Sequence, residues 1–267
     1  MPTKRRPLLV PERHALILEY LESNDSASLS TLVKLTGSSE STIRRDLMEL
    51  AAAGRGWKRT HGGVVSERIS SSTYEPPTQV AAHLHAEGKQ RIGAAAAALA
   101  ASGQSVLFDS GTTVMEAARA TVRRGIALSA ITNDLAIAQV LASGPGIDVI
   151  VTGGQVRPNS NTLHGSPGEA LLQTVCVDLL LLGAHAIDAE GITESAMPIA
   201  EMKRRMMDAA RRTVLLIDRS KFGQRSFVRI GALAGIHTVV TDAKPPRDLC
   251  DALREAGVEL IVAAGKS

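Results

Sequence analysis

The stretch Ser39-Glu40-Ser41-Thr42-Ile43-Arg44-Arg45-Asp46-Leu47-Met48-Glu49-Leu50 predicts a helix with two chemically different faces. Its apolar residues recur at i, i+4 and i+7, which places them on one stripe along the helix. The stripe consists of Ile43, Leu47 and Leu50. The opposite face carries Ser41, Arg44, Arg45 and Met48. We therefore expect this helix to bury one side in a core and to expose hydroxyl and guanidinium groups on the other.

Two further helices are predicted before this stretch, so the N-terminal part forms a three-helix unit. The first runs from Pro11 to Leu21 with proline at its first position, and the second from Ser28 to Leu35. The turn Thr36-Gly37-Ser38 leads into the third helix, which Ser38 or Ser39 can cap. Beyond it, residues 57–65 alternate around Gly62-Gly63 as a β-hairpin wing does. The pattern predicts a winged helix-turn-helix.

The exposed side of the third helix fits the major groove of DNA, because Arg can bind guanine or phosphate and Ser and Thr can reach either. Two adjacent arginines are most often a solvated face, but their place in a three-helix unit with a basic wing favours DNA. Arg45 points furthest from the apolar stripe and is the better candidate for a base contact, whereas Arg44 suits phosphate. The predicted DNA contacts are Ser39, Ser41, Thr42, Arg44, Arg45, Lys58 and Arg59. Trp57 is expected to pack on the third helix.

The segment from Arg13 to Gly63 resembles the DNA-binding domain of the DeoR family of bacterial transcription regulators. The resemblance rests on Ser41-Thr42-Ile43-Arg44-Arg45-Asp46-Leu47 and on Arg59-Thr60-His61-Gly62-Gly63. One departure is Gly54-Arg55-Gly56-Trp57-Lys58, which is longer and more polar than the usual family pattern.

Charge is distributed unevenly along the 267 residues, whose net charge is +3. Residues 1–68 hold 11 Lys and Arg against 8 Asp and Glu, and residues 69–267 hold 19 of each. The excess therefore lies on the predicted DNA-binding part. The basic Lys4-Arg5-Arg6 is followed by too short an apolar stretch for a signal peptide, and no apolar run approaches a membrane span, so we expect a cytoplasmic protein. Cys176 is expected in a buried strand, as a reduced structural thiol.

Three regions follow from composition and periodicity. Residues 1–65 are the predicted winged helix-turn-helix, and residues 66–80, rich in Ser and Pro, are the predicted linker. Residues 81–267 alternate short apolar strands with helices, which predicts an α/β domain with a largely parallel sheet covered on both faces.

Small polar residues follow three consecutive strands of this domain. Ligands in such sheets bind at the carboxyl ends of strands, where backbone N–H groups and helix N-termini hold anions. The loops are Asp109-Ser110-Gly111-Thr112-Thr113, Thr132-Asn133 and Gly153-Gly154. Each alone is an ordinary strand-to-helix loop, but three together favour a site for a polyanion or a sugar phosphate. Charged residues expected to complete the site are Asp188, Glu201, Lys203 and Lys221.

Residues 89–242 also resemble the effector domain of the DeoR family. Beyond the three loops, the resemblance rests on Gly191-Ile192-Thr193, Lys203-Arg204 and Asp218 with Ser220-Lys221-Phe222-Gly223. It implies a fold similar to ribose-5-phosphate isomerase and a phosphorylated sugar or related metabolite as ligand, with Ser110 to Thr113 as the phosphate loop. His185 and Ala189 interrupt the acidic isomerase motif around Asp188, which argues against catalysis. No cofactor and no metal site is predicted.

The favoured interpretation is a non-enzymatic transcriptional regulator, a repressor of a sugar-metabolism operon that binds operator DNA as a homo-oligomer, dimer or tetramer, under control of a phosphorylated sugar. Two alternatives remain. One is a sugar-phosphate isomerase with an added DNA-binding module, in which a carboxylate beside a Lys interconverts aldose and ketose. The other is a DNA-binding protein whose second domain only serves oligomerisation.

Overall fold

The structure is a computed structural model, and it describes residues 6–24, 26–52, 57–60, 63–66, 73, 76–263 and 265. The chain divides into two compact units, Met1–His85 and Ala86–Ser267. The division lies five residues beyond the predicted end of the linker at residue 80.

The first unit is a three-helix bundle with a small sheet. Its elements are α1 Val10–Ser23, β1 Ser26–Ser28, α2 Leu29–Thr36, α3 Glu40–Ala52, β2 Trp57–Thr60, β3 Gly63–Ser66 and α4 Thr78–His83. The three predicted helices and the hairpin wing are confirmed. β1 was not predicted; it pairs with β3 in the order β1-β3-β2, so the wing is joined to the segment between α1 and α2.

Local capping explains where these helices begin and end. The Ser28 hydroxyl accepts the N–H of Thr31 at 3.0 Å and caps α2, which ends at Gly37 with φ of 67°. The Ser39 hydroxyl accepts the N–H of Thr42 at 3.2 Å and caps α3, so Ser39 is the capping residue. The apolar stripe of α3 is buried against α1, whose contribution includes Ile17.

The end of the predicted linker is helical. α4 buries Val80 in the core of the first unit, and Leu84 beyond it is buried there too. His85 then bonds to α1 through its backbone N–H, which Glu19 accepts, and through its ring Nε2, 3.0 Å from Glu22. Residues from Thr78 onward were predicted as linker but are helical, because Val80 and Leu84, at i, i+4 spacing, pack into the core. The Ser- and Pro-rich composition of the segment did not indicate this.

The second unit alternates strands and helices. Its elements are α5 Ala86–Ala97, β4 Ser105–Phe108, α6 Thr112–Arg124, β5 Leu128–Thr132, α7 Leu135–Ala142, β6 Ile147–Val151, β7 Gln155–Val156, β8 Leu163–His164, α8 Ser166–Leu172, β9 Leu179–Gly183, β10 Ala186–Asp188, β11 Gly191–Glu194, α9 Met197–Asp208, β12 Thr213–Leu216, β13 Val228–Gly231, β14 Thr238–Thr241, α10 Arg247–Glu255 and β15 Glu259–Val262. Two 3₁₀ turns lie at Arg219–Lys221 and Leu233–Gly235.

Seven strands form a parallel sheet in the order β15-β14-β12-β9-β4-β5-β6. Separate apolar clusters cover its two faces, which confirms the predicted α/β architecture. The chain runs from β4 outward to β6, then returns to β9 on the other side of β4. The strand order therefore reverses between β4 and β9, and ligands of open α/β sheets bind at such a point.

Smaller sheets and one cysteine depart from the sequence prediction. β10, β11 and β13 form an antiparallel sheet, and β7 pairs with β8 as a hairpin; neither was predicted. Cys176 is exposed and lies before β9, so its predicted place in a buried strand was wrong. The apolar run there looks continuous, but Val177 forms only an isolated bridge and the sheet begins at Leu179. No helix in the described ranges is long and apolar enough to cross a bilayer.

Candidate functional site

The outer face of α3 is polar and accessible. Ser41 and Arg45 are exposed, and Thr42 and Arg44 are half-buried. The Ser39 hydroxyl lies 2.9 Å from that of Ser41 and 2.8 Å from that of Thr42, so these three residues share a hydroxyl cluster at the start of the helix. Met48 continues the same side with 59% of its surface exposed.

The two arginines of this face differ in their partners. Arg44 donates to one oxygen of Glu40, from Nη2 at 2.5 Å and from Nε at 3.2 Å. Arg45 is exposed and forms no ion pair within the part of the chain that the structure describes. A guanidinium without an internal partner can direct all its donors at a ligand, so the two arginines differ in the donors they leave free, and their predicted contacts with DNA stay predictions.

A buried ion pair lies under α3, and sequence reasoning missed it. Arg13 of α1 donates to both oxygens of Asp46, from Nε at 2.5 Å and Nη2 at 2.8 Å. His14 Nε2 lies 3.2 Å from Asp46 and 3.7 Å from Glu49. Asp46 raises the pKa of Arg13 above its ordinary value, mainly through this hydrogen bond. The side chains of His14, Asp46 and Glu49 lie close enough together to hold a metal ion, but both Asp46 oxygens already accept from Arg13, so the Arg13–Asp46 pair fixes α1 against α3.

For the wing, the structure describes the backbone pairing of β2 with β3. Lys58 and Arg59 lie on β2, opposite Val65 and Val64 of β3. Their side chains, the side chain of Trp57 and residues 53–56 lie outside the described residues. Their predicted contacts therefore stay predictions.

In the second unit, a buried charge cluster lies where the strand order reverses. Asp109 follows β4 and is fully buried, and one of its oxygens accepts the N–H of Gly183 at 3.0 Å. The same oxygen accepts from Lys203 of α9, which is 4% exposed. Lys203 also donates to the carbonyl of Gly183 at 2.9 Å and lies 3.5 Å from Glu194. The structure thus brings Asp109 and Lys203 together, as predicted, and adds Glu194.

Glu194 ends β11 and was not among the predicted site residues. Burial by itself raises the pKa of its carboxyl group. The positive charge of Lys203 and the backbone N–H of Ser195 outweigh that effect, so the pKa lies below its ordinary value. His185 and Lys221 lower it further. The carboxylate is therefore held ionised among three basic side chains.

The loop after β4 leads into the N-terminus of α6. Gly111 has φ of 114°, and a Cβ there would meet no described atom within 4 Å. Ser110 and Thr113 are buried and Thr112 is half-buried. No described side chain caps α6, so its first N–H groups are available to an anion.

The loop after β5 faces the same edge of the sheet. Asp134 caps α7 by accepting the N–H groups of Ala136 at 2.9 Å and Ile137 at 3.1 Å. Burial raises its pKa, and the charge of nearby Asp109 raises it further, although those N–H groups and that of Gly111 oppose the shift. Asp134 therefore links the loops after β4 and β5.

Asn133 and Thr132 are buried beside Asp134. Asn133 Nδ2 donates to the carbonyl of Leu163 at 3.1 Å, whereas its buried Oδ1 has no partner among the described residues. The Thr132 hydroxyl accepts the N–H of Asp134 at 3.1 Å. An unpartnered buried acceptor is costly, so Asn133 is suited to accept a hydrogen bond from a ligand.

The loop after β6 carries Gly153 and Gly154, with φ of 76° and 121°. A Cβ on Gly154 would lie 2.4 Å from the carbonyl oxygen of His164, so only glycine fits there. These glycines let the β7–β8 hairpin start directly at the strand end. The close backbone approach belongs to Gly154, because a Cβ on Gly153 would meet only Pro167, at 3.8 Å.

Two predicted site residues do not join the cluster. Asp188 ends β10 and pairs with Arg225, whose Nη2 lies 2.6 Å away. Glu201 faces the surface of α9 and pairs with Arg204 at 2.7 Å and Arg205 at 3.1 Å. Lys221, by contrast, donates to the carbonyl of Ala184 at 2.8 Å, just beyond β9.

Comparison with known proteins identifies both units. Residues 13–70 match a DeoR-like helix-turn-helix domain, and residues 84–243 match the DeoR C-terminal sensor domain. The HTH-type transcriptional regulator GlpR of Haloferax volcanii is 36% identical over 255 residues, which cover 95% of this chain and 98% of that protein. The HTH-type transcriptional repressor GlcR of Bacillus subtilis is 32% identical over 255 residues, covering 94% and 95%.

Two further comparisons are more distant. The glycerol-3-phosphate regulon repressor of Escherichia coli K12 is 29% identical over 250 residues, covering 93% of this chain and 97% of that protein. Among solved structures, ribose 5-phosphate isomerase A from Neisseria gonorrhoeae is 16% identical with a TM-score of 0.39, covering 51% of this chain and 53% of that one. From the two domain matches and the full-length relatives, the chain belongs to the DeoR family of DNA-binding transcriptional regulators.

Proposed function

We propose that this regulator represses a sugar-use operon and that a phosphorylated sugar or related polyol phosphate, bound in the second unit, controls its affinity for operator DNA. The observation that carries the proposal is the buried Lys203, held by Asp109 and Glu194 beside the uncapped N-terminus of α6. The name of the Escherichia coli relative, a glycerol-3-phosphate regulon repressor, supports a phosphorylated effector.

The phosphate fits the N-terminus of α6. The phosphate would accept hydrogen bonds from the first N–H groups of α6 and from the Thr112 hydroxyl. The open space at Gly111 leaves room for it. Lys221, on the loop after β12, supplies a positive charge near the carboxyl end of β9. The carbonyl oxygen of Asn133 and the carboxylate of Asp109 are acceptors suited to sugar hydroxyl groups.

The cluster favours binding over catalysis. An isomerase needs a carboxylate that is free to take a proton from substrate carbon. Here Asp109 and Glu194 both face Lys203, and the charge of that lysine holds Glu194 ionised. Asp188 pairs with Arg225. Turnover of a pentose or hexose phosphate by the purified chain, lost on Lys203→Met, would favour the isomerase alternative.

The test of the effector site is ligand-dependent melting of the full chain. Thr112→Ala with Thr113→Ala should weaken or abolish the rise in melting temperature given by phosphorylated sugars, and leave affinity for operator DNA unchanged. Stabilisation by a ligand scales with its free concentration over Kd. Ser166→Ala, at the start of the short helix α8, is the matched control. A normal titration in the double variant would remove the phosphate cradle from the proposal.

Control can pass between the units through their covalent junction. The 3₁₀ turn carrying Lys221 begins at Arg219, whose N–H donates to Asp242 at 2.8 Å. A Cβ on Gly88, in the first turn of α5, would lie 2.7 Å from the same carboxylate, so α5 packs closely on it. α5 begins immediately after His85, which is bonded to α1. We infer that control passes along this covalent path, from the effector loop through α5 and His85 to the first unit.

The junction makes a separate prediction. His85→Ala should leave effector binding and DNA binding intact but reduce the change in DNA affinity that the effector causes. His83→Ala is the control, because His83 is an exposed histidine two residues earlier, at the end of α4. The measurement is fluorescence anisotropy of labelled operator with and without effector. If the effector changed the DNA affinity of the His85 variant as much as that of the wild type, this route would be contradicted.

Light scattering of the same samples tests the proposed dimer or tetramer.

A further inference from the structure

Glu40 lies at the N-terminal end of α3, the third helix of the helix-turn-helix. It is the first residue of the helix, and 57% of its side chain is exposed. In helix-turn-helix proteins the N-terminal residues of this helix contact base edges in the major groove. DNA phosphates repel a carboxylate there, so Glu40 can contact DNA favourably only through a hydrogen-bond donor on a base.

The pairing with Arg44 leaves half of the Glu40 carboxylate open. Both Arg44 donors, Nη2 at 2.5 Å and Nε at 3.2 Å, go to the same oxygen, Oε1. The second oxygen, Oε2, has no protein partner within the described ranges. The ion pair thus orients an acceptor with a free oxygen at the tip of the helix, and it holds Arg44 beside it.

We propose that Glu40 is a specificity-determining residue that selects a cytosine in the operator, by accepting a hydrogen bond from the N4 amino group. In the major groove cytosine presents only that donor, and Glu and Asp are the side chains that accept from it. Arg44, fixed at one end by Glu40, directs its remaining donors at a neighbouring guanine or phosphate. This inference rests on the operator binding of the proposed function.

A plain structural role would predict something different. An acidic residue in the first turn stabilises a helix through the helix dipole, with no effect on base preference. Glu40→Asp separates the two roles, because Asp keeps the charge in the first turn but withdraws the carboxylate by one methylene group. Glu40→Gln keeps the length, removes the charge and adds a donor, and glutamine pairs with adenine.

The experiment is selection of binding sites from a random duplex library by the full-length chain and its variants. The wild type should select a motif with cytosine at one position of each half-site. Glu40→Gln should shift that position toward adenine, and Glu40→Asp should relax it, with the discrimination falling by about 5- to 150-fold in anisotropy titrations. Glu49→Gln, an exposed glutamate near the other end of α3, should leave the motif unchanged.

Salt dependence gives a second measurement. Releasing Arg44 from Glu40 lets it bind phosphate, so Glu40→Gln should bind random DNA more tightly with a slope against log salt steeper by about one. Identical motifs for wild type and Glu40→Gln, with only a uniform change in affinity, would overturn the assignment. A wild type that selects no motif would instead overturn the operator binding on which it rests. Circular dichroism checks that each variant keeps its helices.

Discussion

Replacing Lys203 by Met removes the only charge that the structure places between Asp109 and Glu194 in the described cluster. Met matches the length of the lysine stem, so the change removes the charge with little loss of packing. Breaking a buried ion pair by deleting one partner costs about 3–5 kcal/mol. Asp109 keeps the N–H of Gly183 and Glu194 keeps the N–H and hydroxyl of Ser195. We therefore expect a loss near the lower end, about 3 kcal/mol at pH 7.5.

The pH dependence should change sign in this variant. In the wild type the pKa of Glu194 lies below its ordinary value of 4.5, so its contribution to stability is present above that pH and is lost as the pH falls. Without Lys203 we expect burial, the largest influence on this carboxyl group, to raise the pKa of Glu194 in the folded state above its unfolded value. The folded variant would then bind a proton at a pH where the unfolded chain does not, so it should gain stability as the pH falls toward the unfolded pKa.

Urea unfolding of the full chain can resolve the second unit. The chain has one tryptophan, Trp57, so its fluorescence follows the first unit, while circular dichroism follows both. Arg205→Met is the control on the same helix, because its pair with Glu201 is half-exposed and worth at most about 1 kcal/mol. A Lys203→Met variant that lost less than about 1 kcal/mol, or that weakened in acid as the wild type does, would refute the reasoning.

Substitutions at two other buried acids, Asp46 and Asp134, give further tests. Asp46→Ala should destabilise the first unit by about 3 kcal/mol, because it leaves Arg13 buried without its acceptor; the fluorescence transition in urea measures this, and a loss under about 0.5 kcal/mol would contradict it. Asp134→Ala should lower the free energy of unfolding by about 1 kcal/mol, because α7 loses its cap. Asp134→Asn keeps a capping oxygen and removes the charge of a carboxyl group whose pKa burial has raised. Melting temperatures at pH 7.5 separate these cases, and equal losses in both variants would show that the charge itself is needed.

Local patterns in the sequence predicted most of the fold. The stripe of Ile43, Leu47 and Leu50 and the caps of α2 and α3 act within one or two turns, so they can be recognised in a short window. Strand-to-helix alternation likewise predicted the parallel sheet. The loops Ser110 to Thr113 and Gly153-Gly154 could be placed after strands for a similar reason, because each directly follows a short apolar run.

What the sequence did not predict depends on contacts between distant segments. Arg13 and Asp46 are 33 residues apart, and nothing in either local pattern indicates that they share a buried pair. α4 was missed because its buried residue Val80, and Leu84 just beyond the helix, follow a Ser- and Pro-rich segment and become core only through contacts with the first unit. Cys176 shows the reverse case, in which the apolar run in the sequence begins before the strand does, at Leu179.

The structure places Glu194 in the charge cluster where the sequence had predicted Asp188, which shows why the site could be predicted only in part. Both are acids near the end of β9 in sequence, and composition cannot tell which of them turns inward. β10 and β11 form a hairpin, in which Ala186 pairs with Thr193 and Asp188 with Gly191. The hairpin therefore carries Asp188 away to its tip, where Arg225 binds it, and returns Glu194 to Lys203. Gly191 begins the returning strand β11, and the structure explains why this position is glycine: its φ is 143°, and a Cβ would lie 2.2 Å from the carbonyl oxygen of Gly231 on the neighbouring strand β13.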